Sequence, residues 1–341
     1  RVSARDKLDE QRAARLAADA ATAKDLTKGY GASWARIRGK LDRLLTEIEE
    51  AKQRGELVDQ AWLARHGHVE TASRTAVVET RTFVDLSKRT IDKAVLAAYQ
   101  AGAIDAATLV RSSLPPGLSW QPAMPVDETV RVAQAMRPGA PFGQLLDELP
   151  VHAAEAARGT LIEGVALGHG TRRIAADLRQ AFGGNLVRAL RISRTETISA
   201  YRRSALARYQ SASNVVTEWV WVASLSARTC PACIANHGSR HPLDEAFASH
   251  PSCRCSPAPS TRSWAELGFP GIPETRIDIE SGETWFARQP VNLQRQILGP
   301  GKHTAYVEGR ITLADLVEPT VSPVWGAGMR ERSLRSALIT V

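Results

Sequence analysis

The chain has 341 residues, 43% of them hydrophobic and 23% charged, which is the composition of a globular protein long enough for two or three domains. The 44 Lys and Arg exceed the 36 Asp and Glu, so the formal net charge is +8, well short of a histone-like tail. No window approaches the roughly 18 uninterrupted apolar residues of a membrane-spanning helix, and the N-terminus lacks the apolar core of a secretory signal. We therefore expect neither a membrane protein nor a Sec-exported one.

The first hundred residues predict helices, because apolar residues recur at helical spacing among Ala, Lys, Arg and Glu. One such stripe precedes Gly55, a stop signal, and consists of Ile37, Leu41, Leu44, Leu45 and Ile48. Residues 114–126 hold four prolines and a glycine and cannot form a regular helix. We assign 1–113 to a helical N-terminal domain and 114–126 to a Pro-rich linker.

Helices continue beyond the linker and give way to a strand. Four helices are predicted: one from about Asp127, one over about 151–167, a shorter one that Thr171 opens, and a long one over about 186–212. Asn185, which follows Gly183-Gly184, is the predicted cap of the long helix. Period-two alternation over 216–223 then predicts a β-strand, with Trp219 and Trp221 on one side as core residues. We predict a mainly α fold, α+β overall, with a small β-containing, cysteine-rich subdomain after about residue 214 and an irregular C-terminal stretch closed by a short helix.

Two charged residues of the helix predicted over 186–212 stand out. Arg194 lies in the middle of an apolar stripe, and a buried Arg has to be paired because an isolated buried charge is too costly. Glu196 is two residues away, and positions i and i+2 face different sides of a helix. We therefore interpret Arg194 and Glu196 as structural ion-pair residues, each with a partner from another segment. A catalytic Arg/Glu pair is the alternative.

All four cysteines and three of the eight histidines fall between residues 230 and 255. The Cys-x2-Cys spacing lets two thiolates converge on one tetrahedral ion, and a second half-site follows some twenty residues later. The five candidate ligands of a structural zinc ion are Cys230, Cys233, His250, Cys253 and Cys255. His237 and His241 are reserves that we expect to be loop or core residues. Disulfides or free buried thiols are the alternatives to zinc.

The order of the short motifs in the second half is more specific than any single one. They are Arg194-Thr195-Glu196 in a helix, Trp219 or Trp221 in a strand, Arg228-Thr229-Cys230-Pro-Ala-Cys233, His237-Gly238, and His250-Pro-Ser-Cys253-Arg254-Cys255. In this order the sequence resembles the phage Mu F-like head morphogenesis proteins, minor capsid proteins of tailed bacteriophages. The resemblance covers about 150–320 and assigns 127–260 to a Mu F-like domain, with the Cys/His cluster at 230–255, and 261–341 to a C-terminal extension.

The resemblance implies a virion component inside the capsid near the portal, assembled in the host cytoplasm, that aids capsid assembly and DNA packaging or ejection. Its implied partners are the portal protein and other capsid or scaffolding proteins. Independently of the resemblance, the long amphipathic helices of 1–113 suit docking on a helical surface of the portal or another partner. Mild basicity also suits non-specific contact with packaged DNA. The alternative is a phage-delivered enzyme, a nuclease or transferase, that uses Arg194, Glu196 and the histidine cluster. The chain lacks the phosphate-loop, nucleophile-elbow and His-Glu-x-x-His motifs that would support an enzyme.

Overall fold

The computed structural model describes residues 4–137, 142–274 and 279–340. The helices are α1 (Ala4–Gln53), α2 (Gln60–Arg65), α3 (His68–Ser113), α4 (Val126–Ala135), α5 (Phe142–Asp147), α6 (Leu149–Ala166), α7 (Thr171–Ser211), α8 (Pro231–Ala235), α9 (Gly282–Ala287), α10 (Val291–Val307) and α11 (Leu334–Thr340). The strands are β1 (Val216–Val222), β2 (Arg240–Pro242), β3 (Ser256–Thr261), β4 (Val317–Ser322) and β5 (Gly326–Glu331). The predicted fold class, mainly α with a small β-containing, cysteine-rich subdomain, is confirmed.

The chain forms two compact units, each discontinuous in sequence. The mixed unit consists of residues 1–17, 95–140 and 195–341, and it contains both sheets. The helical unit consists of residues 18–94 and 141–194. The predicted assignment of domains and linker stays a prediction. Over the described residues, no helix combines the length and the apolar character needed to cross a membrane.

The helical unit is built around the apolar stripe of α1. All five stripe residues are buried, and they pack with α6 and α7 residues such as Leu161, Leu178 and Phe182. Gly55 has φ 76, a left-handed conformation that glycine adopts without strain, and it lies two residues after Gln53, where α1 ends. The predicted stripe and its stop are confirmed.

The predicted helix break at Gly183-Gly184 is wrong. Helix α7 runs without interruption through both glycines, so Asn185 is a buried residue inside the helix and does not cap it. Each glycine costs about 1 kcal/mol relative to alanine in a helix interior. Leu178 and Phe182 are fully buried on the N-terminal side, and each such side chain contributes roughly 1.5–3 kcal/mol. Tertiary packing therefore outweighs the local preference.

The three-stranded sheet has the order β2-β1-β3, with both pairs antiparallel. The central strand β1 places Trp219 opposite His241 on one side and Pro259 on the other. Proline is tolerated in β3 because this strand lies at a sheet edge, where a missing N–H breaks no ladder. Trp219 and Trp221 are buried in one apolar cluster with Cys233. Their predicted role as core residues is confirmed.

The C-terminal stretch is regular, which corrects the predicted irregular chain. It contains α9, α10, a β4–β5 hairpin and α11, the predicted closing helix. The helices α9, α10 and α11 pack into a separate apolar cluster that includes Ile234, Phe286 and Leu313, whereas Met329 of β5 packs with the cysteines. Strand β5 begins Gly-Ala-Gly and so lacks the β-branched and aromatic residues by which a strand is recognised. Residues 326–331 form a strand because they pair with β4.

Candidate metal centre

The first half of the centre is formed by helix α8. Cys230 is its N-cap, and the Sγ of Cys230 accepts a hydrogen bond from the backbone N–H of Cys233 at 3.4 Å. Pro231 occupies the first turn, where the missing N–H is not needed. This short turn brings the Cys230 and Cys233 side chains together at the edge of the aromatic core.

The second half is the loop that leads into β3. The Nε2 atom of His250 lies 3.3 Å from Cys230 Sγ and 3.2 Å from Cys233 Sγ. The Sγ atom of Cys253 lies 3.6 Å from Cys233 Sγ. Two triads of ligand atoms result, one of Cys230, Cys233 and His250 and one of Cys233, Cys253 and Cys255, each within 4.8 Å. Cys233 belongs to both.

These separations match those of a tetrahedral metal site. Bond lengths of about 2.3 Å to sulfur and 2.0–2.1 Å to nitrogen place neighbouring ligand atoms about 3.6–3.8 Å apart. The distances of 3.2–3.6 Å between these ligand atoms need only slight expansion to admit an ion. The four cysteines are free thiols, so the disulfide alternative is not realised. The cluster could therefore bind a metal ion.

The electrostatics of the centre favour a mixture of thiolates and thiols. The hydrogen bond from Cys233 lowers the pKa of Cys230 to about 5, against the effect of burial. Burial by itself would lower the pKa of His250, but hydrogen bonds with Cys230 and Cys253 raise it to about 10. Full burial raises the pKa of Cys255. Negative charge thus concentrates on sulfurs that face His250, where a cation would be stabilised.

Helix α7 holds the second half of the centre in place. Arg202 is buried, and its guanidinium donates to the carbonyl oxygen of Cys255 at 2.8 Å and to that of Cys253 at 3.2 Å. It also lies over the ring of Phe247, 4.4 Å from the centroid. Thr195 lies seven residues before Arg202 on α7, and its Oγ1 accepts a hydrogen bond from the backbone N–H of Ser252 at 3.0 Å.

These α7 contacts were missed from sequence. Ser252 has φ 62, a strained conformation for a residue with a side chain, and the Thr195 hydrogen bond helps to fix it. Arg202 follows Ile198 by four residues, so the sequence does place a charge beside the apolar stripe of this helix. The position of Arg202 beside this stripe indicates a buried Arg, but the sequence does not indicate which residues it contacts.

The orientation of His250 is fixed by its backbone neighbour. Its Nδ1 lies 2.8 Å from the carbonyl oxygen of Pro251, so Nδ1 carries the proton and Nε2 faces the thiols. Metal-binding histidines commonly have such a second hydrogen bond.

The two reserve histidines lie elsewhere. His237 Nδ1 accepts the backbone N–H of Ala223 at 3.0 Å, and His241 stacks on Trp219 with the ring centroids 4.1 Å apart. Both are structural residues of the sheet region.

Arg194 and Glu196 belong to different units and have different partners. In the helical unit, Arg194 Nε lies 2.9 Å from Asp19 Oδ2, and the Arg194 side chain is 26% exposed. In the mixed unit, Arg137 Nη2 lies 3.0 Å from Glu196 Oε2, and the Glu196 side chain is 4% exposed. Glu196 is thus the more deeply buried charge, although the sequence pattern had drawn attention to Arg194.

Fold and centre define a mainly helical protein whose small sheet subdomain carries a cysteine–histidine cluster able to bind a metal. Residues 156–258 match the family model described as phage Mu protein F like protein. The predicted resemblance is thereby confirmed, whereas its extension to about 320 stays a prediction. No curated protein and no solved structure matches the chain. This match points to a phage head morphogenesis protein, and such a protein is located in the virion.

Proposed function

We propose that this protein is a portal-associated minor capsid protein that aids head assembly and DNA packaging or ejection. The family match over 156–258 carries the proposal, because it includes the α7 motif and all but the last strand residues of the cysteine subdomain. Its partners would be the portal protein and other capsid or scaffolding proteins. A net charge of +8 suits non-specific contact with packaged DNA.

The residues considered for an enzymatic role support a structural one instead. Asp19 neutralises Arg194, and Arg137 neutralises Glu196. His237 has a backbone hydrogen bond on one ring nitrogen. We therefore propose that Glu196→Gln lowers stability or impairs assembly, without any turnover to lose.

We propose that the centre holds one structural zinc ion through Cys230, Cys233, His250 and Cys253. His250 contacts both thiols of the Cys-x2-Cys turn, and Cys253 contacts Cys233 as well as His250. Cys255 is fully buried in the triad with Cys233 and Cys253, whereas the hydrogen bonds that raise the pKa of His250 come from Cys230 and Cys253. Zinc would supply a cross-link between α8 and the loop before β3.

The virion role is tested on particles of the phage whose genome encodes this chain. Gradient-purified heads are analysed by quantitative mass spectrometry against the major capsid protein. We expect a few copies of the chain per particle, retained in heads that lack tails. Particles that contain none of it, at a detection limit below one copy, would contradict a minor capsid protein.

Zinc is tested by elemental analysis and thiol titration of the same purified sample, before and after chelation. We expect about one zinc per chain, with thiols that become reactive only after chelation. Cys253→Ser should lose the metal, while the matched variant Cys255→Ser should keep it. If Cys255→Ser lost the zinc and Cys253→Ser kept it, Cys255 rather than Cys253 would be the fourth ligand. A wild-type protein that contains no metal would refute the zinc site.

A further inference from the structure

A second candidate site lies in the mixed unit, apart from the cysteine cluster. It is a cavity of about 410 Å³, within the range of ligand and peptide-anchor pockets. The cavity is lined by the face of α3 that carries Ile104 and Arg111 and by the segment 122–126. Arg208 of α7 completes the lining.

Arg208 is a buried cation without a carboxylate partner. Its side chain is among the largest fully buried ones in the chain. Its Nη1 donates to the carbonyl oxygen of Met124, and its Nε is buried without a hydrogen-bond partner. Among the described residues, no acidic side chain forms an ion pair with it. A buried charge left in this state is costly unless an anion joins it.

Arg111 places a second cation at the same cavity. Its Nη2 donates to the amide oxygen of Gln121 at 3.1 Å, and its guanidinium lies 6.0 Å from the centroid of the Trp120 ring. Both partners are neutral. Burial, and secondarily the charge of Arg111, lowers the pKa of Arg208, so the two guanidinium groups repel one another.

The cavity lining contains two arginines and no acidic residue. The remaining lining is largely apolar: Ala103, Ile104, Ala107, Pro122, Ala123, Met124, Pro125 and Val126. Guanidinium groups bind planar anions through paired hydrogen bonds. A nucleic-acid backbone would need a basic track that contacts several phosphates, and this lining offers only two cations among largely apolar residues. The lining instead suits a carboxylate attached to an apolar body.

We propose that this cavity binds an acidic peptide segment of a partner protein, with Arg208 and Arg111 holding its carboxylate and the Ile104 and Pro122 surfaces holding a neighbouring apolar side chain. The site shares no residue with the metal centre. It adds a mode of partner recognition that the family match does not imply, and it stands or falls independently of the zinc proposal.

The test is a titration of the full chain, labelled at Ile and Val methyl groups and followed by NMR. The probe is acetyl-Leu-Glu-Leu-amide at up to about 10 mM, a range that detects millimolar dissociation constants. We expect shifts of the Ile104 and Val126 methyl signals that saturate. Acetyl-Leu-Gln-Leu-amide, which lacks only the charge, should produce none. Equal binding of both peptides, or no binding of either, would overturn the proposal, as would tighter binding of inorganic phosphate than of the acidic peptide.

Variants separate the two arginines from general charge. We expect Arg111→Gln, on the exposed rim, to weaken peptide binding about tenfold, the loss of one charge-assisted hydrogen bond. Arg131→Gln on α4 removes an exposed charge outside the lining and should leave binding unchanged. Arg208→Gln should abolish binding while zinc content stays at the wild-type level. If Arg208→Gln does not fold, the comparison of Arg111→Gln with Arg131→Gln tests the proposal. Equal peptide affinities of these two variants would refute the site.

Discussion

At the scale of single residues, the metal centre depends on side chains outside the Cys/His set. Arg202 bridges the carbonyl oxygens of Cys253 and Cys255, so it fixes the backbone on both sides of Arg254. A planar guanidinium makes both bonds at once, and an ammonium group cannot reproduce that geometry. Arg202 would therefore act on a bound metal ion through the position of the ligand loop.

We predict that Arg202→Lys weakens zinc affinity by about 10–100-fold, the usual cost of a lost outer-shell partner. The measurement is competition with a chromophoric chelator, with circular dichroism to verify the fold. Arg203→Lys is the matched control, because Arg203 is the next residue on α7 and donates to Tyr99 Oη instead. Equal zinc affinities for the two variants would show that Arg202 does not position the loop.

His237 makes stability depend on pH. Burial lowers its pKa to about 4 in the folded state, against about 6.5 in the unfolded chain. As the pH falls from about 6.5 to about 4, the unfolded chain binds a proton that the folded chain does not, so stability decreases. Protonation at Nδ1 would also break the hydrogen bond from Ala223.

We predict that the wild type loses about 2 kcal/mol of unfolding free energy through this group over that pH range. In His237→Asn an amide oxygen can still accept the Ala223 hydrogen bond, and no proton is taken up. Urea unfolding of both proteins at several pH values gives the comparison. The unfolding free energies of the two proteins, plotted against pH, should converge as the pH falls. Parallel plots would mean that the pKa of His237 does not differ between the folded and unfolded states.

At the scale of elements, two local patterns predicted the structure correctly, the local helix-break signal at Gly183-Gly184 did not, and long-range contacts were not visible in the sequence. The apolar stripe of α1 and the Cys-x2-Cys turn depend on neighbours within a few residues, so their pattern alone predicts them. Arg202 meets Cys255 across 53 positions, and Thr195 meets Ser252 across 57. No spacing rule links such residues. The five candidate ligands were predicted, but the triads that share Cys233 required the fold.

The uninterrupted helix α7 yields a prediction for its two glycines. A Cβ at Gly183 or Gly184 would meet nothing within 4 Å, and neither residue has a positive φ. We predict that Gly183→Ala and Gly184→Ala each raise the unfolding free energy by about 1 kcal/mol, the difference in helix propensity. Thermal and urea unfolding measure it.

Gly164→Ala on α6 is the contrasting variant. Its Cβ would lie 2.7 Å from Cγ1 of the buried Ile174, so the side chain would have to move and stability should fall. A loss of stability in Gly183→Ala or Gly184→Ala comparable to that in Gly164→Ala would mean that the glycines form a bend.

At the scale of the whole molecule, the two units have separate apolar cores of different composition. The core of the helical unit contains Ile48, Leu161 and Phe182 and no cysteine. The largest core of the mixed unit contains Cys233, Cys253 and Cys255 together with Trp219 and Trp221. A metal that joins these cysteines contributes its binding free energy to the folding of the mixed unit.

We therefore predict that chelation destabilises the mixed unit selectively, as followed by hydrogen exchange and mass spectrometry. Exchange should rise in β1, whose tryptophans share an apolar cluster with the cysteines, and in β3, which pairs with β1. It should stay at the untreated level in the α1 and α6 segments of the helical unit. Added zinc should restore protection, and magnesium, which prefers oxygen ligands, should not. A uniform rise in both units would show that they unfold as one cooperative body, whereas unchanged exchange in β1 and β3 would show that no metal holds the centre together.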